Sequence, residues 1–290
     1  MRRNTDATEV NVEPRTLIEG LVVGESPRWH EGRLWFSNWG AQEICTLDLQ
    51  GNRDVVAKGP VPVGYCIDWL PDGSLLVTSH DRILRRQRDG SFVTHADLGA
   101  FGMAWNEIVV DGRGNIYANN VGFRFGQDEF RPGGIVLVTP DGAVRRVADN
   151  VAFPNGMVVT PDNSTLIVAE SFAHTLTAFD ITADGSLSNR RIWAGVGGDG
   201  ICLDAEGAVW CSDVGGDGPV VMRVREGGDV LQTITLDAAC FACMLGGQDG
   251  KTLFLMAAEW RGVEKMGELF RARTGRVLAV DAQVPHAGRP

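Results

Sequence analysis

Four segments of the sequence place a carboxylate or an amide at the start of an apolar, strand-like run. They contain Glu25 in GESPRW, Asn106 and Glu107 in AWNEIVV, Asn155 in FPNGM and Asp199 in GGDGI. Three of the four segments set this side chain beside Gly or Pro, which exposes it at the mouth of a strand. An amide without a partner in an apolar setting costs about 2–7 kcal/mol, and a bare carboxylate costs more. A compensating partner is therefore expected.

The chemistry of this set favours a metal ion as that partner. Two carboxylates with one or two amides are the kind of oxygen ligand set that hard divalent cations prefer. The nitrogen and thiolate ligands of a dedicated zinc site are absent from these positions. The alternative is that the polar groups pair with backbone atoms or ordered water. We predict one divalent cation, Ca²⁺ in the first place, with Mg²⁺, Mn²⁺, Zn²⁺ and Fe²⁺ as alternatives.

The four segments belong to a motif that occurs six times and consists of a short strand, a turn and a second apolar strand. Successive turns are 41 to 49 residues apart. Their central residues are Gly32, Gly73, Gly114, Asn163, Gly207 and Gly250. Gly and Asn tolerate the positive φ of tight hairpin turns. A second hairpin is predicted after most copies, the last over residues 269–284. A repeat of about 40–50 residues with four strands and no helical period is typical of a propeller blade.

The predicted fold is therefore all-β, a six-bladed β-propeller, with a β-sandwich as the alternative. We expect a polar N-terminal tail over 1–15, one propeller domain over 16–282 and a C-terminal tail over 283–290. Residues 16–23 would supply the outer strand of the last blade and close the ring. The first strand of each blade is innermost in a propeller, so the four polar segments should converge near one end of the axis.

The composition of the chain disfavours some classes of binding partner. The formal charge is −10, from 27 basic and 37 acidic residues, which disfavours nucleic-acid binding. No segment has the 18 or more apolar residues of a membrane span, and Met1 to Arg15 lacks a secretory signal, so a cytoplasmic protein without membrane contact is expected. The six cysteines are interpreted as buried reduced thiols, including the Cys240–Cys243 pair. We expect a small-molecule substrate and a monomer or weak homo-oligomer.

Nucleophilic catalysis finds no support in the sequence. There is no G-x-S-x-G motif, and none of the five histidines has a motif context. His174 in ESFAHT follows the second strand of a blade, where a surface or loop-packing role is favoured over a place in the pocket.

The sequence resembles the SMP-30/gluconolactonase/luciferin-regenerating-like family from about Leu17 to Val280. The motifs GESPRW, PNGM, GGDGICLDAEGAVW and FACMLGG carry the resemblance. It implies a six-bladed propeller whose metal is bound by Glu25, Asn155 and Asp199, with Asp199 also acting as general base.

The resemblance also suggests substrate contacts, and the sequence departs from the family pattern at two places. Asn106 matches an Asn that contacts substrate or the water shell of the metal, and Asn120 lies where many members have a polar residue. The Arg-x-Asn-Asp motif of sugar lactonases is replaced here by AWNE, residues 104–107. An acidic sugar-binding residue is absent around Phe123, whose neighbours are Arg124 and Phe125. A strongly polar aldonolactone is therefore disfavoured.

Aromatic residues near these segments point to a less polar pocket, although most aromatics in blades serve packing. Those singled out are Trp39, Trp105, Phe123, Phe125, Phe172 and Trp260. The predicted substrate-binding set is Asn106, Glu107, Asn120, Trp105, Phe123 and His174.

The predicted function is that of a metal-dependent lactonase, a carboxylic ester hydrolase acting on a lactone or a less polar ester. Two alternatives stay open. One is a calcium-binding regulatory propeller without catalysis. The other is a related propeller activity, phosphotriester hydrolysis or a cyclase or isomerase step on a ring substrate.

Overall fold

The computed structural model describes residues 13–213 and 218–288, which form six four-stranded antiparallel sheets. In chain order the strands are β1 (Arg15–Leu21), β2 (Val23–His30), β3 (Arg33–Trp39), β4 (Glu43–Leu47), β5 (Arg53–Lys58), β6 (Ile67–Trp69), β7 (Leu75–Ser79), β8 (Arg82–Arg86), β9 (Phe92–Asp97), β10 (Trp105–Val110), β11 (Ile116–Asn120), β12 (Gly133–Val138), β13 (Val144–Val151), β14 (Pro154–Val159), β15 (Thr165–Glu170), β16 (Thr175–Ile181), β17 (Leu187–Ala194), β18 (Ile201–Leu203), β19 (Val209–Asp213), β20 (Val220–Val224), β21 (Val230–Thr235), β22 (Ala239–Gly246), β23 (Thr252–Ala258) and β24 (Gly275–Asp281). Each sheet is one blade, and the orders are β2-β3-β4-β5, β6-β7-β8-β9, β10-β11-β12-β13, β14-β15-β16-β17, β18-β19-β20-β21 and β22-β23-β24-β1.

The six turn residues identified in the sequence lie in the first hairpin of each blade. All six have a positive φ, between 58° at Asn163 and 85° at Gly114. Glycine reaches this conformation without strain and Asn tolerates it, whereas most side chains do not. The turn chemistry is therefore what fixes the hairpin register and the start of each blade.

The blades are arranged in a ring around the innermost strands. Strands β2, β6, β10, β14, β18 and β22 contact one another in that order, and β22 returns to β2. The predicted six-bladed propeller is confirmed. The predicted closure is confirmed as well, because β1 pairs antiparallel with β24 and completes the last blade from the N-terminal side.

The last blade departs from the sequence prediction. The hairpin predicted over 269–284 is wrong in its first half, since only β24 forms there. The strand that would have been its partner is replaced by β1, so the preceding chain forms a 3-10 turn (Val263–Lys265) and a short helix, α1 (Met266–Leu269).

The two ends of the chain are described in part. Residues 1–12 of the predicted N-terminal tail and residues 289–290 of the predicted C-terminal tail lie outside the described residues. The part of the C-terminal tail that is described packs on the propeller, where His286 forms a β-bridge with Asp204.

Apolar side chains between neighbouring sheets form the core, with Phe36, Trp210 and Phe254 fully buried. All six cysteines are buried and none forms a disulfide. No helix in the described part of the chain has the length and apolar character needed to cross a membrane.

Candidate functional site

Irregular pairing marks the inner strands near one end of the ring. Four of them shift register against their neighbours, between Glu25 and Arg28, Trp105 and Glu107, Pro154 and Met157, and Cys240 and Ala242. A β-bulge leaves one residue unpaired and redirects its side chain, which is why bulges are common beside active sites. Three of these bulges hold the sequence-predicted residues Glu25, Asn106 and Asn155.

Hydrogen bonds between blades hold these strand ends together. The Asn106 amide nitrogen donates to the Pro154 carbonyl oxygen (3.1 Å), and the Gly156 amide donates to the Asp199 carbonyl oxygen (3.1 Å). The Gly200 amide donates in turn to the Phe241 carbonyl oxygen (2.8 Å). Site residues distant in sequence are thereby fixed relative to one another by backbone contacts.

Gly156 of the PNGM motif has a packing reason to be glycine. A β-carbon at this position would lie 2.5 Å from the Ile201 nitrogen and 2.7 Å from the Asp199 carbonyl oxygen. Real β-carbons do not approach backbone atoms this closely. The glycine therefore allows blade four to approach the Asp199 segment of blade five.

A cavity of about 670 Å³ opens at this end of the ring. Glu25, Asn106, Asn155 and Asp199 all line it, each from a different blade. The structure therefore brings together the four polar segments singled out in the sequence. Trp105 and Phe123, predicted to bind substrate, also lie on the cavity wall.

The two cavity carboxylates are strongly perturbed. Burial raises the pKa of Glu25 well above its usual range, and the negative charges of Asp199 and Glu107 raise it further. Burial also raises the pKa of Asp199 to about 7, against a hydrogen bond from the Asn155 side chain that lowers it. No Arg, Lys or His among the described residues forms an ion pair with either carboxylate.

This arrangement fits a divalent cation. Two neighbouring carboxylates without a cationic partner are costly in a buried site, and a bound cation would relieve both the burial and the repulsion. The described residues contain no metal-binding group of three His, Cys, Asp or Glu side chains, so any third protein ligand here is of another kind, and the Asn155 amide is a candidate. The Asn155 amide nitrogen lies 3.4 Å from the Ser171 hydroxyl, which leaves its carbonyl oxygen available to a cation.

Glu107 lies below the cavity wall. Its carboxylate accepts a hydrogen bond from the Arg28 guanidinium (3.1 Å) and one from the Ile108 amide (2.8 Å). Arg28 is buried and also approaches the Asp68 carboxylate at 4.0 Å. The guanidinium therefore compensates Glu107 and Asp68. Arg28 is not among the residues predicted from the sequence, although an arginine inside an inner strand, in GESPRW, is a usable signal.

Three residues of the predicted substrate-binding set, Glu107, Asn120 and His174, do not line the cavity. Asn120 is buried, its amide donates to the Gly134 carbonyl oxygen (3.4 Å), and it borders a separate surface cleft. His174 is exposed and lies beside Gly197, two residues before Asp199. The assignments of these three residues to substrate binding stay predictions.

The cavity wall contains further residues that the sequence analysis had not selected. Ser171 donates to the Gly198 carbonyl oxygen (2.8 Å) and is the acceptor for Asn155. The loop after β23 adds Met266, Leu269 and Phe270, which reach the cavity because β1 has taken the place of the expected hairpin strand. A single Ser after a strand carries no motif signal, and the loop was interpreted as a hairpin.

Comparison with known proteins gives one family. The SMP-30/Gluconolactonase/LRE-like region matches residues 23–259. Regucalcin of Xenopus laevis is 27% identical over 259 residues, covering 83% of this chain and 84% of that relative. The 6-deoxy-6-sulfogluconolactonase of Pseudomonas putida is 25% identical over 283 residues, covering 93% of this chain and 94% of that relative.

A solved structure agrees in fold. Regucalcin of Agrobacterium tumefaciens, described as a calcium-binding protein, superimposes with a TM-score of 0.77 at 21% identity and covers 97% of this chain and 98% of that one. The family match spans most of the chain, as do the relatives. This protein therefore belongs to the SMP-30/gluconolactonase/LRE-like family.

Proposed function

We propose that this protein is a metal-dependent hydrolase that opens a lactone with water to give the hydroxy acid. The observation that carries the proposal is the meeting of Glu25, Asn155 and Asp199 in one cavity, with two carboxylates that have no cationic partner within residues 13–213 and 218–288. The lactonase among the curated relatives supports the reaction class. Family membership alone leaves it open, because a fold does not determine a reaction.

In this proposal the three side chains hold the cation, Ca²⁺ first among the candidates given the relatives named regucalcin. A divalent cation in such a site supplies Lewis-acid polarisation of a carbonyl and lowers the pKa of water. Asp199 is the base that accepts the proton of the attacking water; a bound cation would lower its pKa, and the cation would also lower the pKa of that water. Asn155 orients Asp199 through a side-chain hydrogen bond.

The test is a lactone panel with controlled metal content. The protein is stripped with a chelator and assayed against γ- and δ-lactones of graded polarity, with Ca²⁺, Mg²⁺, Mn²⁺, Zn²⁺ or Fe²⁺ added back singly. Acid release is followed with a pH indicator and corrected for spontaneous opening. We expect turnover that requires a cation and that falls at least about 100-fold in Asp199→Asn, the scale typical of a lost general base.

Asp204→Asn is the matched control, since Asp204 is a buried aspartate of the same blade that pairs with Arg223 outside the cavity. It should retain cation-dependent turnover wherever it remains folded. Cation binding without turnover of any lactone would refute the enzyme and favour a calcium-binding regulatory propeller. Turnover that is indifferent to chelation would refute the metal.

A further inference from the structure

We infer that the substrate carries an aromatic or similarly flat apolar substituent, which binds against three phenylalanines on one wall of the cavity. These residues, Phe125, Phe153 and Phe172, are called the phenylalanine cage. The inference rests on the proposed lactone hydrolysis and specifies the substrate class of that same site. It assigns the substrate specificity to the ring surfaces of the cage. Several polar side chains of the wall form hydrogen bonds within the protein and have a structural role.

The cage is a defined set of ring contacts. Phe153 and Phe172 stack with centroids 4.7 Å apart and an interplanar angle of 21°. Phe125 meets Phe153 edge to face at 5.0 Å and Phe172 at 6.0 Å. Phe123 lies buried behind them, and all four line the cavity. A further ring would find both stacking and edge-to-face partners here, the two geometries that aromatic pairs prefer.

Two rings of the cage are in unfavourable settings, one in its backbone conformation and one in its exposure to solvent. Phe153 has a φ of 57°, which is a rare conformation for a bulky side chain and costs of the order of 1–3 kcal/mol. Phe172 remains 46% exposed although it is a large apolar residue. Strain of this kind persists where the surrounding structure enforces it, and it clusters at ligand sites. A ligand that covers Phe172 would remove this exposed apolar area from water.

The cage is joined directly to the proposed metal ligands. Only Pro154 separates Phe153 from Asn155, and Phe172 directly follows Ser171. Ser171 accepts from Asn155 and donates to Gly198, the residue before Asp199. A substituent in the cage is therefore placed next to the carbonyl that would be attacked, as positioning for catalysis requires.

Three polar side chains of the wall are already engaged within the protein. Asn106 donates to a backbone carbonyl, Ser171 donates to Gly198, and Arg124 forms a bidentate ion pair with Asp128. A hydroxyl group that meets these side chains would lose water and find few groups free to replace its hydrogen bonds, and that loss disfavours binding. An apolar substituent loses no hydrogen bond on entering, so the wall discriminates in its favour.

The experiment compares two substrates on the full-length, cation-loaded protein. One is a γ-butyrolactone with a phenyl substituent, and the other has hydroxymethyl and hydroxyl substituents on the same ring. Burial of a ring of this size predicts a kcat/KM preference of about 10- to 100-fold for the phenyl compound. Phe153→Ala and Phe172→Ala should each reduce the preference about tenfold, and Phe172→Leu less. Equal or inverted preference would overturn the inference.

Phe130→Ala is the matched control. Phe130 contacts Phe123 and Phe172 and is 49% exposed, but it is not on the cavity wall. This variant should leave the kcat/KM preference for the phenyl compound within about twofold of the wild type. An effect as large as that of Phe153→Ala would show that the cage acts through general packing of the region, and it would overturn the inference. Folding of each variant is checked by urea unfolding.

Binding separates this inference from the proposed reaction. The affinities of the corresponding phenyl and hydroxylated lactams, which resist hydrolysis, are measured by calorimetry. If no lactone is turned over, the proposed function fails, and the cage is still upheld by tighter binding of the phenyl lactam. If lactones are turned over but the hydroxylated lactam binds equally well or better, the reaction stands and the cage is refuted.

Discussion

Replacing Asp199 by Asn should stabilise the cation-free protein at alkaline pH. The pKa of this carboxyl rises from the ordinary aspartate value of 3.8 to about 7 in the folded state. The folded state therefore binds more protons than the unfolded state between about pH 4 and 7, so the free energy of unfolding falls as the pH rises through this window. The total loss in the free energy of unfolding is about 4 kcal/mol, because each unit by which the pKa is raised corresponds to about 1.4 kcal/mol.

The substituted amide carries no charge and avoids this loss, and its oxygen can still accept from Asn155. We expect D199N to exceed the wild type by up to about 4 kcal/mol at pH 8 in chelator, and by less than about 2 kcal/mol at pH 5. Added cation at about 100 times its Kd should narrow this difference at pH 8 to about 1 kcal/mol, because it stabilises the wild type by about 2.7 kcal/mol and the variant much less.

The assay is urea unfolding at pH 5 and pH 8, with chelator or with Ca²⁺. Asp204→Asn serves as the control, because Asp204 forms a buried ion pair with Arg223 (2.6 Å) that the substitution weakens. It should lose stability at both pH values and keep its response to cation. A variant D199N that is less stable than the wild type at pH 8 in chelator would refute the account of the site as two uncompensated carboxylates.

Three further perturbations test the frame of the site. Arg28→Met leaves Glu107 buried without its partner and should cost about 3–5 kcal/mol in urea unfolding, and a loss below about 1 kcal/mol would contradict that role. Gly156→Ala should push the Asp199 segment away and weaken cation affinity, measured by calorimetry. Unchanged affinity would show that the backbone around Asp199 moves to accept the added β-carbon without disturbing the site. Deleting residues 1–21 removes β1 and exposes the edge of β24, so a marked fall in the urea midpoint is expected, and an unchanged midpoint would contradict closure by this strand.

Local turn chemistry explains why the fold could be predicted. Each blade begins with a hairpin whose turn needs a positive φ, and Gly or Asn at that position is visible in the sequence. Six such signals at similar spacing leave few architectures open. The last blade was predicted only in part: its closure by the N-terminal strand was expected, but no local pattern shows that the region around α1 forms no strand.

The site was predictable in its centre and much less so at its edges. Glu25, Asn155 and Asp199 occupy equivalent places in a repeat, so the symmetry of the ring brings them together. Glu107 alternates with Asn106 along the same strand and points away from the cavity to Arg28. The sequence could not separate these two neighbours, because the bulge between Trp105 and Glu107 sets which of them reaches the cavity.

The charges along the axis indicate why the site suits a divalent ion. Four carboxylates interact there, those of Glu25, Asp199, Glu107 and Asp68, and Arg28 supplies one positive charge beside the last two. Burial raises the pKa of Asp68 to about 6, so its charge is only partly lost near neutral pH. Arg28 therefore offsets the lower pair in part, whereas the upper pair has two negative charges to be matched once both of its carboxyl groups are ionised at alkaline pH. A monovalent ion would leave one of them uncompensated in a buried cavity, so Na⁺ or K⁺ should not replace Ca²⁺ in restoring stability at pH 8.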